Sequence, residues 1–388
     1  MTTTEAAPTI RPFTIEVPGA DIDDLNSRLD RIRWPNVPDG ADGHGFALSE
    51  VRALADRWRH TFDWRSVEAR LNELNHLMID VDGVTMHAVH ERAADASDRL
   101  PVVLLHGWPD SFVGLIDVMN ALVEAGHDVI VPSLLGYGFS GQPAGPLAVE
   151  TIAAAVDTVV DRLGYARYAV HGGDWGSAVA EHLALTRPER VGAIHLLDVP
   201  YYHMFLVDTA EATDDAERTY LEAAADWGDT SGYLAIQSTQ PLTLAYGLSD
   251  SPVGLLAWIG EKYSAWTDRT PDPDAVLTLA SLYWFTNTIW SSTRLYAEGM
   301  TSWDEEDSES DWSTPAVAVP AGFALFPADI TSAPRTFAER FFTDIRRYSL
   351  MSSGGHFAAR EQPQAVAAEI VAFLSGVAAS ADGAAAAG

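Results

Sequence analysis

The chain has 388 residues, of which 47% are hydrophobic, enough for one large α/β domain with an insertion or for two domains. A net charge of −31 argues against nucleic acid and anionic membranes as partners, and the lack of cysteine excludes disulfides and thiolate metal sites. Residues 1–12 lack a signal-peptide pattern, and no uncharged apolar span of about 20 residues stands out, so we expect a soluble, cytoplasmic protein.

Residues 1–75 are predicted to form an N-terminal arm, largely helical, that packs on the rest of the chain. Ser49 is the expected N-cap of its middle helix, because a serine there precedes an apolar helical pattern. Arg33-Trp34-Pro35 ends the first helix, since proline cannot continue it. The expected elements are a strand at 13–17 and helices at 21–33, 49–58 and 64–74.

Residues 76–199 are predicted to form the first part of an α/β core. Asp82-Gly83 separates two alternating runs at 77–81 and 84–90, which is a strong β-hairpin signal. Strand and helix patterns then alternate, which favours a mostly parallel, doubly wound sheet that begins with the hairpin. The patterns predict strands at 101–105, 128–131, 168–170 and 191–197, and helices at 112–124 and 149–163.

Residues 200–315 interrupt this alternation with helical, aromatic-rich stretches and are predicted to form a helical cap inserted in the sheet. Residues 316–376 complete the core, with strands at 316–325 and 345–351 and a helix that starts at Pro363. The alanine- and glycine-rich segment 377–388 is expected to be a disordered tail.

Residues 172–176 read Gly-Gly-Asp-Trp-Gly and carry the clearest chemical signal. This is the G-x-nucleophile-x-G pattern of a strand-to-helix turn, with Asp174 where an esterase carries serine. A carboxylate nucleophile suits displacement at an sp3 carbon and leaves an alkyl ester on the enzyme. A base-activated water must then hydrolyse that ester.

Two other motifs supply what such an ester needs. His-Gly-Trp-Pro at 106–109 follows a buried strand, and the main-chain N–H groups of Trp108 and Trp175 are predicted to form an oxyanion hole. His356 follows the last predicted strand, the usual chain position of a catalytic base. The histidines at 106 and 171 are interpreted as structural.

A carboxylate should orient His356, and two candidates follow predicted strands. Asp329 comes after the penultimate strand and is favoured as the acid of the triad. Asp198 follows an earlier strand and stays as the alternative.

On these residues the chain resembles epoxide hydrolases of the α/β-hydrolase superfamily, over about residues 10–375. It looks most like the microsomal and juvenile-hormone branch, whose N-terminal arm wraps the core, and its composition suggests a soluble bacterial member. The acid of this branch is commonly glutamate, and Asp329 is one methylene shorter. The motifs that carry the resemblance are HGWP at 106–109, GGDWGS at 172–177, FPADI at 326–330 and GHFAA at 355–359.

The resemblance implies two cap tyrosines that hold and protonate the epoxide oxygen. Tyr233 and Tyr296 match them, and neutral phenols can donate to a developing alkoxide. The fallback tyrosines are Tyr283, Tyr202 and Tyr201. The residues expected to line the substrate pocket are Ile236, Gln237 and Trp290.

The sequence therefore predicts a cofactor-independent epoxide hydrolase that makes a vicinal diol through an ester on Asp174. The aromatic-rich cap suits a bulky apolar or aryl epoxide, in detoxification or in natural-product biosynthesis. Alternatives are a haloalkane dehalogenase, which shares the aspartate nucleophile, and a non-catalytic ligand-binding protein of the same fold. No metal, nucleic acid or membrane is expected as a partner, and a homodimer stays open.

Overall fold

A computed structural model describes residues 10–38, 44–95, 99–299 and 316–387. The beginning of the predicted arm, residues 1–9, and the end of the predicted cap, residues 300–315, lie outside this range, as does Gly388.

A sheet of nine strands forms the centre of the described chain. The strands are β1 Ile10–Pro12, β2 His76–Val81, β3 Val84–Glu91, β4 Val102–Leu105, β5 Val129–Pro132, β6 Tyr168–Gly172, β7 Val191–Leu196, β8 Ala321–Leu325 and β9 Ile345–Leu350. Their order is β1-β2-β3-β5-β4-β6-β7-β8-β9. Pairing is antiparallel from β1 to β5 and parallel from there on, so the predicted sheet that starts with a hairpin is confirmed.

Helices belong to the arm, the core and the inserted segment. The arm has α1 Gly19–Leu29, α2 Leu48–His60 and α3 Trp64–Leu71. The first core part has α4 Ile116–Glu124, α5 Val149–Arg162 and α6 Trp175–Thr186, with a 3-10 turn at Phe112–Leu115. The insertion has α7 His203–Leu206, α8 Asp215–Thr230, α9 Gly232–Thr239, α10 Pro241–Asp250, α11 Pro252–Trp266, α12 Pro273–Thr286 and α13 Ile289–Glu298, with a 3-10 turn at Thr209–Glu211. The second core part has α14 Arg335–Ala338, α15 Ala358–Glu361 and α16 Pro363–Ala387.

Two hydrophobic layers cover the two faces of the sheet. Successive side chains of a strand point to opposite faces, so Val103 and Leu105 of β4 pack with α5 and α6. Val102 and Leu104 pack on the other face with α4 and α16. Every residue of β4 is buried, which explains why a parallel strand reads as a continuous apolar run.

The arm differs from its predicted form at two points. Residues 13–17 are not a strand, because the side chain of Asn72 satisfies both the N–H and the C=O of Ile15. The middle helix begins one residue before Ser49, with Ala47 as N-cap and no side-chain cap, so the predicted serine cap is wrong. The arm is fixed to the insertion where the indole N–H of Trp58 donates to Ser281 at 2.9 Å.

The last helix, α16, runs from Pro363 to Ala387. The segment after Gly376, predicted to be disordered, is therefore helical, because its alanines have the highest helix propensity. Residues Pro363–Ser380 are also long and apolar enough to cross a membrane, by length and composition only, which the expectation from the sequence did not include. The span is 28% buried, and Val366, Ile370 and Phe373 lie on the side that packs in the core.

Candidate active site

Asp174 occupies a tight turn between β6 and α6. Its backbone has φ 55° and ψ −127°, a left-handed φ that is strained for a residue with a Cβ. The flanking glycines make the turn sterically feasible. A Cβ on Gly172 would lie 2.2 Å from the carbonyl oxygen of Gly176, and one on Gly176 would lie 2.4 Å from that of Leu105. The turn therefore has the geometry that the sequence pattern predicts for a nucleophile.

The carboxylate of Asp174 lies against the HGWP loop. Its Oδ1 accepts the main-chain N–H of Trp108 at 2.8 Å. Burial raises the pKa of Asp174, while the charge of His356 and the N–H groups of Trp175 and Trp108 act in the opposite direction. A Cβ on Gly107 would lie only 2.2 Å from Oδ1, so this loop packs directly on the carboxylate.

His356 lies between two carboxylates. Its Nδ1 is 2.8 Å from Oδ1 of Asp329, and its Nε2 is 3.8 Å from Oδ2 of Asp174. A bridge between Ala328 and Gly355 holds together the loops that carry Asp329 and His356. Burial lowers the pKa of His356, but Asp329 and then Asp174 raise it more, to about 9. The imidazole therefore bridges the two acids in an arrangement that fits a nucleophile, a base and an orienting acid.

Asp198, the alternative acid, has other partners. Its Oδ2 accepts the main-chain N–H of Asp174 at 2.8 Å, and its Oδ1 is 2.5 Å from the hydroxyl of Ser177. Asp329, the favoured acid, accepts a second hydrogen bond, because the hydroxyl of Tyr201 donates to its Oδ1 at 2.8 Å. The geometry thus favours Asp329 as the partner of His356 and places Asp198 beneath the turn of the nucleophile.

Tyr233 on α9 and Tyr296 on α13 face the same space as Asp174. Their rings are 6.1 Å apart and nearly perpendicular, and the indole of Trp108 stacks on Tyr233 at 5.4 Å. Burial raises the pKa of both phenols well above the ordinary value, so both are neutral hydrogen-bond donors. The hydroxyl of Tyr296 is buried and has no partner of normal geometry among the described residues.

A largely aromatic cavity joins the nucleophile to the two phenols. Its polar groups are the carboxylate of Asp174 and the tyrosine hydroxyls, which leaves apolar walls for the rest of a ligand. No group of three potential metal ligands occurs within the described ranges. The cavity is lined by Asp174, Trp175, Ala178, Tyr201, Tyr202, Phe205, Trp227, Tyr233, Leu234 and Tyr296.

The three residues predicted to line the pocket lie outside this cavity. Ile236 is 41% exposed, and Gln237 is buried against α11, where its side-chain oxygen accepts the indole N–H of Trp258. Trp290 is half-buried. The cavity contacts only the first turn of α9, so residues one turn beyond Tyr233 lie too far along the axis.

Sequence reasoning missed several residues of the cavity wall, including Phe205, Trp227 and Leu234. Tyr201 and Tyr202 were predicted only as fallback phenols and not as wall residues. They follow the end of β7, where side chains of a parallel sheet converge on a site. The third fallback, Tyr283, is outside the cavity, with its hydroxyl 3.4 Å from the carbonyl oxygen of Asp110.

The two motif histidines that were interpreted as structural are buried away from the cavity. His106 accepts the main-chain N–H of Leu134 at 3.2 Å, and His171 faces His195 across neighbouring strands at 3.0 Å. Burial lowers the pKa of both His106 and His171 to about 4, so both are neutral. Neither is poised to exchange a proton near neutral pH.

The chain is similar to known proteins in both sequence and structure. Residues 10–115 match the family described as "Epoxide hydrolase N terminus", and residues 101–240 match the "alpha/beta hydrolase fold". A Stigmatella aurantiaca protein with the provisional name epoxide hydrolase is 35% identical over 378 residues, covering 93% of this chain and 84% of the relative. "Epoxide hydrolase 1" of Sus scrofa is 32% identical, covering 94% and 88%.

A solved structure extends the match to the whole fold. The juvenile hormone epoxide hydrolase of the silkworm Bombyx mori superposes with a TM-score of 0.86 at 26% identity, over 97% of this chain and 96% of that chain. The resemblance drawn from the motifs and the predicted fold class are thereby confirmed.

Proposed function

The chain belongs to the epoxide hydrolase family and is an epoxide hydrolase with the α/β-hydrolase fold, and we propose that it works through a covalent ester on Asp174. One observation carries this proposal. The carboxylate of Asp174 shares a cavity with two neutral phenols, and on its other side it lies 3.8 Å from His356. A nucleophile, two acids for the leaving oxygen and a base thus surround one reacting centre.

The first half-reaction opens the ring. Tyr233 and Tyr296 donate hydrogen bonds to the epoxide oxygen, and an oxygen of Asp174 attacks a ring carbon. An ester C–O bond forms, the ring C–O bond breaks, and the alkoxide takes a proton from one phenol. The strained turn exposes Asp174 to the cavity, and the Trp108 N–H orients its carboxylate for attack.

The second half-reaction hydrolyses the ester. His356, oriented by Asp329, takes a proton from water, and the hydroxide adds to the ester carbonyl carbon. The Trp108 and Trp175 N–H groups stabilise the oxyanion, which collapses to release the diol and regenerate the carboxylate of Asp174. The proton taken from water restores the imidazolium of resting His356, and solvent returns to the phenolate the proton that His356 releases when the ester forms.

The charges around His356 explain how it can be protonated in the resting site and neutral when the ester is hydrolysed. In the resting site its pKa is about 9, so the imidazolium stabilises the carboxylates of Asp174 and Asp329. Esterification neutralises Asp174 and removes one of the charges that raise this pKa. We therefore propose that His356 shifts toward its neutral, basic form once the ester needs hydrolysis.

The walls of the cavity support a substrate class. Trp227, Phe205 and Leu234 are apolar, so we propose a bulky apolar or aryl epoxide, without assigning it to detoxification or biosynthesis. The proposed steps use only side chains and main-chain N–H groups of the chain and water, with no metal or organic cofactor. We also propose that the enzyme acts in the cytoplasm, away from anionic membranes, in keeping with a net charge of −31.

A single turnover tests the route. Excess enzyme is mixed with styrene oxide in ¹⁸O-water, and the diol and the peptide containing Asp174 are analysed by mass spectrometry. We expect label in that peptide and an unlabelled first-turnover diol. Label entering the diol directly would contradict the ester.

Two matched variants separate the half-reactions. His356→Gln should trap the ester as a mass added to the same peptide, and Asp174→Ala should form neither ester nor diol. Chloride release from haloalkanes, without epoxide opening, would indicate a dehalogenase instead.

A further inference from the structure

Asp198 is a buried carboxyl group that the proposed reaction does not use. It is 3% exposed and follows β7, directly beneath the turn that carries Asp174. One of its oxygens accepts the main-chain N–H of Asp174, and the other lies 2.5 Å from the hydroxyl of Ser177. Asp198 thus connects the strained residue of the turn to the first turn of α6.

One proton cannot serve both contacts of the Ser177 hydroxyl. The Ser177 hydroxyl has one proton, and its oxygen is also 2.7 Å from the main-chain carbonyl oxygen of Asp174, which can only accept. If the hydroxyl donates to that carbonyl, its contact with Asp198 needs a second proton. The carboxyl group of Asp198 is the group that can supply it.

The charges facing Asp198 favour the same state. No lysine or arginine forms an ion pair with it in the part of the chain that the structure describes. Burial, and then the charge of Asp329, raise the pKa of Asp198 to about 8, although the hydrogen bonds from Ser177 and from the N–H of Asp174 act in the opposite direction. The titratable groups that face it from the surrounding elements are Asp174 on the turn, Tyr201 after β7, Tyr220 on α8, Asp329 after β8 and His356 after β9.

We propose that Asp198 is a neutral carboxylic acid in the resting enzyme, and that it acts as a positioning residue by clamping the turn of the nucleophile. Its carbonyl oxygen accepts from Asp174, and its O–H donates to Ser177. An unpaired carboxylate could hold the same backbone N–H, but it would add a negative charge beside His356. The neutral acid holds the turn without that charge.

A consequence for the reaction follows, and it rests on the proposed function. When Asp198 loses its proton at alkaline pH, its charge raises the pKa of His356. More of the histidine then stays protonated and cannot activate water. The rate of ester hydrolysis should therefore level off or fall at alkaline pH, where a histidine without a charged Asp198 beside it would already be neutral and fully active.

Infrared difference spectroscopy tests the protonation without any substrate. The carbonyl band of a protonated carboxylic acid is well separated from carboxylate bands. We expect such a band in the wild-type protein at pH 6 to 7, its loss as the pH rises through about 8, and its absence in Asp198→Asn. Ser177→Ala keeps the acid but removes its partner, so the band should shift. A spectrum without a difference between wild type and Asp198→Asn at pH 6 would overturn the proposal.

Kinetics test the clamp. An asparagine can accept from Asp174 and donate to Ser177 as the neutral acid does, whereas alanine can do neither. We expect ester formation in Asp198→Ala to be at least about tenfold slower than in Asp198→Asn, and the alkaline decline to disappear in the asparagine variant. Equal losses in both variants would refute the clamp. Failure of the ester route would leave the infrared result unaffected, so the two proposals fail separately.

Discussion

The loop that packs on the nucleophile offers a sharp test of the site, the substitution Gly107→Ala. The new Cβ would lie 2.2 Å from Oδ1 and 2.4 Å from Cβ of Asp174, whereas real contacts of a Cβ essentially never fall below 3.0 Å. The carboxylate or the loop must therefore move by about 1 Å, a displacement that costs on the order of 100-fold in rate. We expect ester formation to fall by that factor, measured by rapid quench and peptide mass spectrometry.

A second glycine provides the control. Gly247 on α10 has no atom near the position of a Cβ, so Gly247→Ala should leave turnover unchanged and raise the free energy of unfolding by about 0.5–1 kcal/mol. Urea unfolding of both variants separates misplacement of the nucleophile from loss of fold. Ester formation in Gly107→Ala within threefold of wild type would refute the reasoning.

Three other perturbations follow from the geometry. Tyr233→Phe and Tyr296→Phe should each slow ester formation about tenfold or more, and the double variant should form no detectable ester in a single-turnover assay. Protonation of His356 stabilises the fold fully below its unfolded pKa of 6.5, so the thermal midpoint should fall as the pH rises from there through about 9, and less so in His356→Gln. Ser281→Ala leaves the buried indole N–H of Trp58 without its acceptor and should lower the free energy of unfolding by about 1–3 kcal/mol in urea titrations.

Much of the fold could be predicted because local signals and tertiary structure agree in the core. The Asp82-Gly83 turn has positive φ at both residues, the geometry that its sequence predicts for a tight hairpin. The predicted and observed structures differ where a side chain, and not a neighbouring strand, forms the hydrogen bonds of the backbone. Asn72 is far from Ile15 in sequence, so no local pattern could show that it replaces a strand there.

The motifs of the candidate site could be predicted, whereas the cavity wall could not, and the reason is physical. A tight turn and a loop packed on a carboxylate demand particular residue types, and these demands remain visible as GGDWG and HGWP. A wall needs only apolar surface, which many residues supply. Residue type alone does not distinguish Ile236 from Trp227 as a wall residue. Only the three-dimensional structure shows that Trp227 lines the cavity and that Ile236 does not.

The inserted helices do more than cover the site, because they also hold His356, the proposed base. The main-chain N–H of His356 donates to the carbonyl oxygen of Trp266 at the end of α11, and a Cβ on Gly355 would lie 2.4 Å from that same oxygen. Asp268, just beyond α11, accepts the N–H of Gly354. Residues on α9 and α13 supply the phenols, while the end of α11 fixes the histidine. A movement that carried α11 away from the sheet would thus displace His356.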